Sequence, residues 1–101
     1  AAVPQWIVVT VARSANDALR QQEDYAAVCC AIQNFMLYLW QDGIGTKWST
    51  GEVTQTIRFY DLCGIDHELE EIAGLFSCGY PADVPKSVRR RSVDDITTEL
   101  P

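Results

Sequence analysis

Residues 24–51 read DYAAVCCAIQNFMLYLWQDGIGTKWSTG, and this stretch decides the fold. Between Tyr25 and Trp40, only Gln33 and Asn34 are not apolar. A helix that is apolar on all sides has no face to turn toward water, so it must be buried all round. We therefore expect the rest of the protein to be arranged around one covered helix.

The ends of this helix are predicted from capping residues. Asp24 suits the N-cap, and Gly43 suits the left-handed turn after the last residue, which gives a helix of about 27 Å at 1.5 Å per residue. A membrane-spanning helix needs about 20 mostly apolar residues. Because this segment is shorter and has two amides at its middle, we predict no membrane span.

Protein must then cover the helix, either from a core on two sides or from a core and a partner chain. In that setting Gln33 and Asn34 hydrogen-bond to backbone or to a symmetry mate, because an unpaired buried amide costs about 1–3 kcal/mol. The alternative is that both amides lie at one solvent-facing edge.

Composition limits the function classes. The chain has 101 residues, enough for one small domain, and its net charge of −6 argues against a nucleic-acid partner. Four cysteines without a C-x-x-C pair and a single histidine predict no metal site. We expect four reduced thiols that pack as small buried side chains in a reducing, cytoplasmic compartment. The first residue is Ala rather than Met, which favours a cleaved or truncated product.

The other regular elements are predicted from apolar runs and the turn residues between them. β-branched runs without polar alternation are typical of strands covered on both faces. We predict a strand at Pro4–Ala12, a loop at Arg13–Gln22, a helix at Glu52–Leu62 that ends at Gly64, and a strand at Ile72–Cys78. Two strands cannot cover an all-round apolar helix, so the remaining cover must come from outside this chain or from a second copy of it.

The segment after the long helix, residues 43–51, contains two glycines two positions apart, followed by Trp48, Ser49 and Thr50. It matches neither the dinucleotide-binding nor the P-loop glycine pattern. A helix end followed by a short extended segment is the simpler interpretation. The alternative is a place where backbone and hydroxyl groups meet a flat ligand.

The C-terminal part carries a basic cluster. Lys86, Arg89, Arg90 and Arg91 are half of all Lys and Arg in the chain. One interpretation is a solvated tail; the other is an anion site, because guanidinium groups match phosphate oxygens. Residues 93–100 are weakly amphipathic, and we expect them to dock on a neighbouring surface.

His67 lies between Asp66 and Glu68. A solvated turn is the favoured interpretation. The alternative, a general base in a small hydrolase, lacks the nucleophile and orienting group that such a site needs.

Together these segments resemble the C-terminal half of the nitroreductase family of flavoproteins, in order and in spacing. The resemblance covers almost the whole chain, and its most specific part is the Q-N pair followed by G-I-G-x-x-W and then G-Y-P. The matching stretches are PQWIVVTVA (4–12), DYAAVCCAIQNFMLYL (24–39), DGIGTKWSTG (42–51), LCGI (62–65), IAGLFSCGYP (72–81) and RRSVDDI (90–96).

The resemblance implies a partial nitroreductase-like α+β fold with a mixed sheet, in which residues 1–101 are the C-terminal portion of one domain. It also implies a homodimer, with the long helix buried at the interface between the two subunits. FMN then binds between subunits, NAD(P)H reduces it, and an electron-poor acceptor such as a nitroaromatic, a quinone or an enone takes the hydride. No catalytic side chain is expected, because the flavin carries the hydride chemistry.

The resemblance also implies binding residues. The family segment that matches Trp48, Ser49, Thr50 and Gly51 lies along the flavin.

A basic residue after the G-Y-P turn reaches the flavin phosphate in the family. Arg90 matches it best, with Arg89 and Lys86 as further candidates. The family's N-terminal half, which holds another part of the flavin site, has no counterpart in these residues. The alternative function is therefore a non-catalytic dimerisation or interaction fragment of the same fold.

Overall fold

The computed structural model describes residues 4–101 as an α+β fold with a three-stranded sheet and one long helix. The α+β prediction is confirmed, but a mixed sheet is wrong for these residues. The strand order is β1-β3-β2, and both pairings with β3 are antiparallel. The elements are β1 (Gln5–Ala12), α1 (Ala18–Gln41), β2 (Gly45–Ser49), α2 (Ile57–Cys63) and β3 (Glu70–Gly79), with 3₁₀ turns at Glu52–Gln55 and Asp94–Ile96.

Helix α1 starts earlier than the sequence predicted. Asp17 is its N-cap, and the Asp17 carboxylate accepts a hydrogen bond of 3.0 Å from the backbone N–H of Arg20. Asp24, the predicted cap, lies inside the helix, 3.7 Å from the Arg20 guanidinium. The loop predicted at 13–22, with at most a short helical turn, is wrong from Ala18 onward, because the Ala, Leu, Arg and Gln residues of 18–22 are good helix formers. The prediction for the other end is confirmed, since Gly43 has a φ of 78°.

Helix α1 packs on the sheet with one side only. Ile32 is its single buried residue, whereas Leu37 and Tyr38 are 57% and 68% exposed. Gln33 and Asn34 are also exposed. This agrees with the prediction that the chain alone cannot cover the helix, and cover by a second copy stays a prediction. The three strands contact one side of the helix, and no other element within residues 4–101 covers the opposite side.

Strand β3 lies at the centre of the sheet and supplies most of the core. Its predicted position is confirmed and extends to both sides of residues 72–78. Phe76 is fully buried, with Ile7 of β1 and Trp48 of β2 directly opposite it. The core cluster is Ile32, Ala73, Phe76 and Cys78, with side chains such as Val9, Val28 and Met36 packed around it.

Residues 52–63 form two short helices rather than one. The chain is extended at Thr56, where φ is −82° and ψ is 143°, and this interrupts the predicted helix. The Thr56 hydroxyl accepts a hydrogen bond of 3.2 Å from the Phe59 N–H, so it is the N-cap of α2. The predicted end of the helix is confirmed, because Gly64 has a φ of 70°.

Beyond β3 the chain leaves the folded body. Every residue from 81 to 101 is exposed, and the radius of gyration is 17.1 Å. A compact chain of this length has a radius of gyration of about 13 Å. We call residues 81–101 the tail and residues 4–80 the body.

The cysteines only partly follow the sequence prediction. All four are free thiols, and Cys78 is buried. Cys30 and Cys63 are exposed, so the expectation of four buried thiols is wrong for these two.

No helix in residues 4–101 combines the length and the apolar character needed to cross a bilayer.

Candidate functional site

Trp48 is held in the core at the end of β2. Its indole N–H donates a hydrogen bond of 3.0 Å to the Ala73 carbonyl, and its ring centroid is 5.7 Å from that of Phe76. The ring also covers Gly74 so closely that a Cβ at that position would overlap the indole. The indole therefore anchors the strand that leads to Ser49, whatever else it contacts.

A β-bulge explains this arrangement. The register between β1 and β3 shifts after Val9, so that Ala73 has no partner on β1. Bulged residues leave ladder hydrogen bonds unmade. Here the Ala73 carbonyl accepts from Trp48, and the N–H of Ile72 donates to the Tyr60 hydroxyl at 2.7 Å. The side chains of Trp48 and Tyr60 thus supply hydrogen bonds that a neighbouring strand would otherwise make at the bulge.

The sequence prediction missed Tyr60 and Gly74 as determinants of this end of the sheet. Gly74 carried a usable signal, because a glycine inside a strand pattern often marks a bulge or a close approach of another group. Tyr60 carried none, because its partner is the backbone of a residue on another element.

The three residues after Trp48 form an open edge. Ser49 is half-buried, while Thr50 and Gly51 are exposed. The Gly51 carbonyl accepts hydrogen bonds from the N–H and the hydroxyl of Thr54, at 3.0 and 2.7 Å, and Thr54 is only 1% exposed. Because buried Thr54 holds the Gly51 carbonyl, the backbone that carries the Ser49 and Thr50 hydroxyls is ordered. Neither makes a side-chain hydrogen bond within residues 4–101.

The predicted basic residues lie in the irregular part of the tail. Lys86, Arg89 and Arg90 are exposed, as is the neighbouring Arg91. Across the described chain the only ion pair joins Arg20 to Asp24, so the cluster keeps its positive charge uncompensated by direct pairing. No hydrogen bond or ion pair in residues 4–101 joins the basic cluster to residues 48–51.

An apolar groove of about 670 Å³ runs between α1, the start of β2, and the segment after β3. None of the predicted binding residues lines the groove, although Lys47 and Pro85, which precede Trp48 and Lys86 in the sequence, do. Its wall includes Met36, Leu37, Trp40, Ile44, Thr46, Cys78, Tyr80, Pro81 and Val84. The groove is suited to apolar or flat partners, and Lys47 is its single charged lining residue.

His67 has a structural role in this chain. Its ring packs edge-on against Tyr60, with centroids 6.3 Å apart, and its carbonyl accepts a hydrogen bond of 2.7 Å from Arg13 Nε. No group of three possible His, Cys, Asp or Glu metal ligands occurs in the described part of the chain.

Burial raises the pKa of the Tyr25 phenol above its ordinary value, and the nearby Cys29 adds to this shift.

Comparison with known proteins adds the family. A sequence profile described as the nitroreductase family matches residues 2–80. The chain belongs to the nitroreductase family. A Bacillus subtilis (strain 168) relative named "Putative NAD(P)H nitroreductase YfhC" is 30% identical over 98 residues, which are 97% of this chain and 50% of the relative. The predicted family is confirmed.

Solved structures of this family share the fold. A nitroreductase-like family protein from Bacillus cereus superposes with a TM-score of 0.85 at 27% identity, over 94% of this chain and 50% of that one. A Desulfovibrio desulfuricans protein, described as a "putative nitroreductase in complex with fmn", superposes with a TM-score of 0.72 at 24% identity, over 95% of this chain and 54% of that one. The second likeness shows a common fold alone. The chain spans about half the length of the relatives it matches.

Proposed function

We propose that this chain forms part of an FMN-dependent oxidoreductase that passes a hydride from NAD(P)H, through the flavin, to a nitroaromatic, a quinone or a similar acceptor. The observation that carries the proposal is the ordered edge after β2, residues 49–51, which presents two hydroxyl groups. A second feature supports it, because half of the basic residues of the chain lie in residues 86–91. The family, the relative named as an NAD(P)H nitroreductase and the FMN-bound structure with this fold support the same assignment.

The edge at residues 49–51 fits the rim of a flat ring. Ser49 and Thr50 have hydroxyls without a partner in the described chain, and no atom lies within 4 Å of where a Gly51 Cβ would be. A ligand can therefore approach the backbone closely at Gly51. We assign Trp48 to the same site as the residue that fixes this edge from the core side.

The basic cluster fits the flavin phosphate. A phosphomonoester carries about −1.5 to −2 charges at neutral pH, and an acidic chain needs local positive charge to hold it. We assign this role first to Arg90, then to Arg89 and Lys86, whose exposed side chains are unpaired in the described chain. Guanidinium groups bind phosphate oxygens through two parallel hydrogen bonds.

FMN, when bound, supplies the hydride chemistry. The residues of this chain then have to bind and orient rather than transfer protons, and no acid–base pair is required of them.

We further propose a homodimer in which a second subunit covers α1. Leu37, Tyr38 and Trp40 are exposed along one side of the helix, and Gln33 and Asn34 lie among them. Pairing between the amides of two subunits would give partners to side chains that make no hydrogen bond within residues 4–101. The four free thiols are consistent with a reducing, cytoplasmic location.

Flavin titration tests the cofactor assignment. FMN added to the purified protein should be taken up, with quenched flavin fluorescence, and the complex should oxidise NAD(P)H. Arg90→Ala should weaken FMN binding by about 10–100-fold, because a hydrogen bond to a charged group is worth about 1.5–3 kcal/mol. Arg58→Ala, an exposed arginine on α2, is the matched control and should change nothing. A protein that takes up no FMN would instead support the non-catalytic interaction fragment.

Leu37→Arg tests the homodimer. Leu37 is 57% exposed within one chain, so the substitution should leave the subunit folded. At an interface, an unpaired buried charge should weaken association by about 3–5 kcal/mol, visible as a shift to monomer in sedimentation velocity. Leu69→Arg, at a similarly exposed site before β3 (66%), should leave the dimer intact. An unchanged dimer with Leu37→Arg would place the interface elsewhere.

A further inference from the structure

We propose that α1 pairs with α1 of a second copy of the chain in an antiparallel alignment, so that small side chains on one helix pack against large side chains on the other. This proposal rests on the homodimer proposed above and adds the direction and the register of the two helices. It is carried by the spacing, the sizes and the charges of the side chains on the exposed face of α1.

The exposed side of α1 carries a repeat that is typical of paired helices. Six residues recur at alternating spacings of three and four positions, and all are exposed in the single chain: Glu23, Ala26, Cys30, Gln33, Leu37 and Trp40. We call these residues the seam. Such a spacing keeps side chains on one stripe, along which two helices interlock. The buried Ile32 packs against the sheet instead, so the seam is open to a second helix.

Side-chain size changes along the seam. Its N-terminal half contains Ala26 and Cys30, whereas its C-terminal half contains Leu37 and Trp40. In a parallel pair each residue meets its own copy, so large side chains crowd one end and small ones leave space at the other. In an antiparallel pair, Ala26 faces the partner's Leu37. The antiparallel pair therefore keeps one interhelical distance along its length, as close packing requires.

The seam continues into the apolar groove, so the two form one surface. Gln33, Leu37 and Trp40 belong to the seam and also line the groove. A stable dimer buries about 800 Å² per partner, which is more than a helix stripe about 26 Å long and about 10 Å wide provides. The groove adds apolar surface at the C-terminal end of α1, where the N-terminal half of an antiparallel partner helix arrives.

The charges on this surface favour the same direction. Glu23 is the charged residue of the seam, and Lys47 is the charged residue of the groove. Neither makes an ion pair within residues 4–101, whereas the neighbouring Arg20 pairs with Asp24. An antiparallel pair brings Glu23 opposite the partner's Trp40, and so beside the partner's Lys47, twice in each dimer. A parallel pair would bring Glu23 against its own copy, which like charges disfavour.

Cysteine cross-linking tests the direction and the register. The background is Cys30→Ser with Cys63→Ser, which removes the two exposed thiols. On it, Ala26→Cys combined with Leu37→Cys should give disulfide-linked dimers on mild oxidation, because facing positions meet the Cα spacing of about 4.4–6.8 Å that a disulfide needs. Each single substitution should give no link, because the antiparallel pair separates either position from its own copy by about 16 Å along the axis. Non-reducing electrophoresis measures the link, at concentrations where sedimentation shows a dimer.

A charge exchange tests the same alignment without new thiols. Glu23→Lys and Lys47→Glu should each raise the dissociation constant of the dimer about tenfold, because each change creates two like-charge contacts. The two changes together should return it to within about threefold of the starting value. Both effects should shrink as salt rises. Asp61→Lys makes the same change in net charge at an exposed site on α2 and should leave association unchanged.

Other results overturn the proposal in distinguishable ways. A link formed by Ala26→Cys alone or Leu37→Cys alone means a parallel pair. A dimer that stays unlinked with both substitutions has another register or interface, and the homodimer then stands without this pairing. Lack of recovery in the double charge variant overturns the contact between Glu23 and the partner's Lys47. A chain that stays monomeric overturns the homodimer and this proposal together, whereas FMN uptake tests the cofactor assignment separately.

Discussion

The body and the tail both contain apolar residues, but only the body buries them. Phe76, Ile72 and Ala73 on the central strand are between 0% and 4% exposed. The apolar residues of the tail are 60–86% exposed, namely Val84, Val88, Val93, Ile96 and Leu100. Hydrophobicity thus does not decide burial by itself; a residue also needs neighbours on two sides. The tail therefore presents apolar surface that the body does not cover.

The largest expected effect contrasts the centre of the body with the tail. Phe76→Ala should lower the free energy of unfolding by about 3–5 kcal/mol, because it removes a fully buried ring and leaves a cavity. Val88→Ala should change it by less than about 0.5 kcal/mol, because that side chain is exposed. Urea unfolding followed by circular dichroism measures both. A comparable loss in Val88→Ala would mean that the tail is packed in solution and that the contrast is false.

A smaller effect tests whether the bulge controls the end of β2. Gly74→Ala should destabilise by about 1–3 kcal/mol, because the new Cβ overlaps the Trp48 indole and forces it out of the core. Tryptophan emission should shift to longer wavelength as the ring meets water. Gly51→Ala is the matched control, since no atom lies within 4 Å of the added methyl group and φ is −65°. If both variants behave alike, the Trp48 contact does not fix this strand.

The smallest effect concerns one hydrogen bond at the bulge. Tyr60→Phe should cost about 1–2 kcal/mol, because the buried N–H of Ile72 loses its acceptor. Tyr80→Phe in the exposed segment after β3 should be neutral. Amide hydrogen exchange at Ile72 offers a direct check, since it should become faster in Tyr60→Phe. Unchanged protection at Ile72 would show that another group accepts its hydrogen bond.

Much of the body could be predicted from local patterns. The apolar run of α1, the glycines that end α1 and α2, the β-branched run of β1 and the apolar run of β3 each depend on residues close together in sequence. The family resemblance rests on the same segments. The exact start of α1 was missed because Asp17 and Asp24 are both suitable caps, and the chain uses the earlier one.

The candidate site was predicted only in part. The sequence singled out residues 48–51 and the basic cluster by residue type. It did not show that Trp48 is bound into the core through Ala73, because these residues are 25 positions apart. It also did not show that Thr54 supports Gly51, or that an apolar groove lies between α1, the start of β2 and the segment after β3.

By itself, the sequence determined the family, the α+β class, the helix ends at Gly43 and Gly64 and the concentration of positive charge in residues 86–91. These properties depend on residue type and short spacing. The tertiary structure decided the all-antiparallel order of the described strands, the bulge that Trp48 and Tyr60 complete, and the single side on which α1 is covered. Those features depend on contacts between segments that are far apart in sequence. Such contacts depend on how the strands are aligned and how the helix lies on the sheet, and short sequence patterns do not determine either.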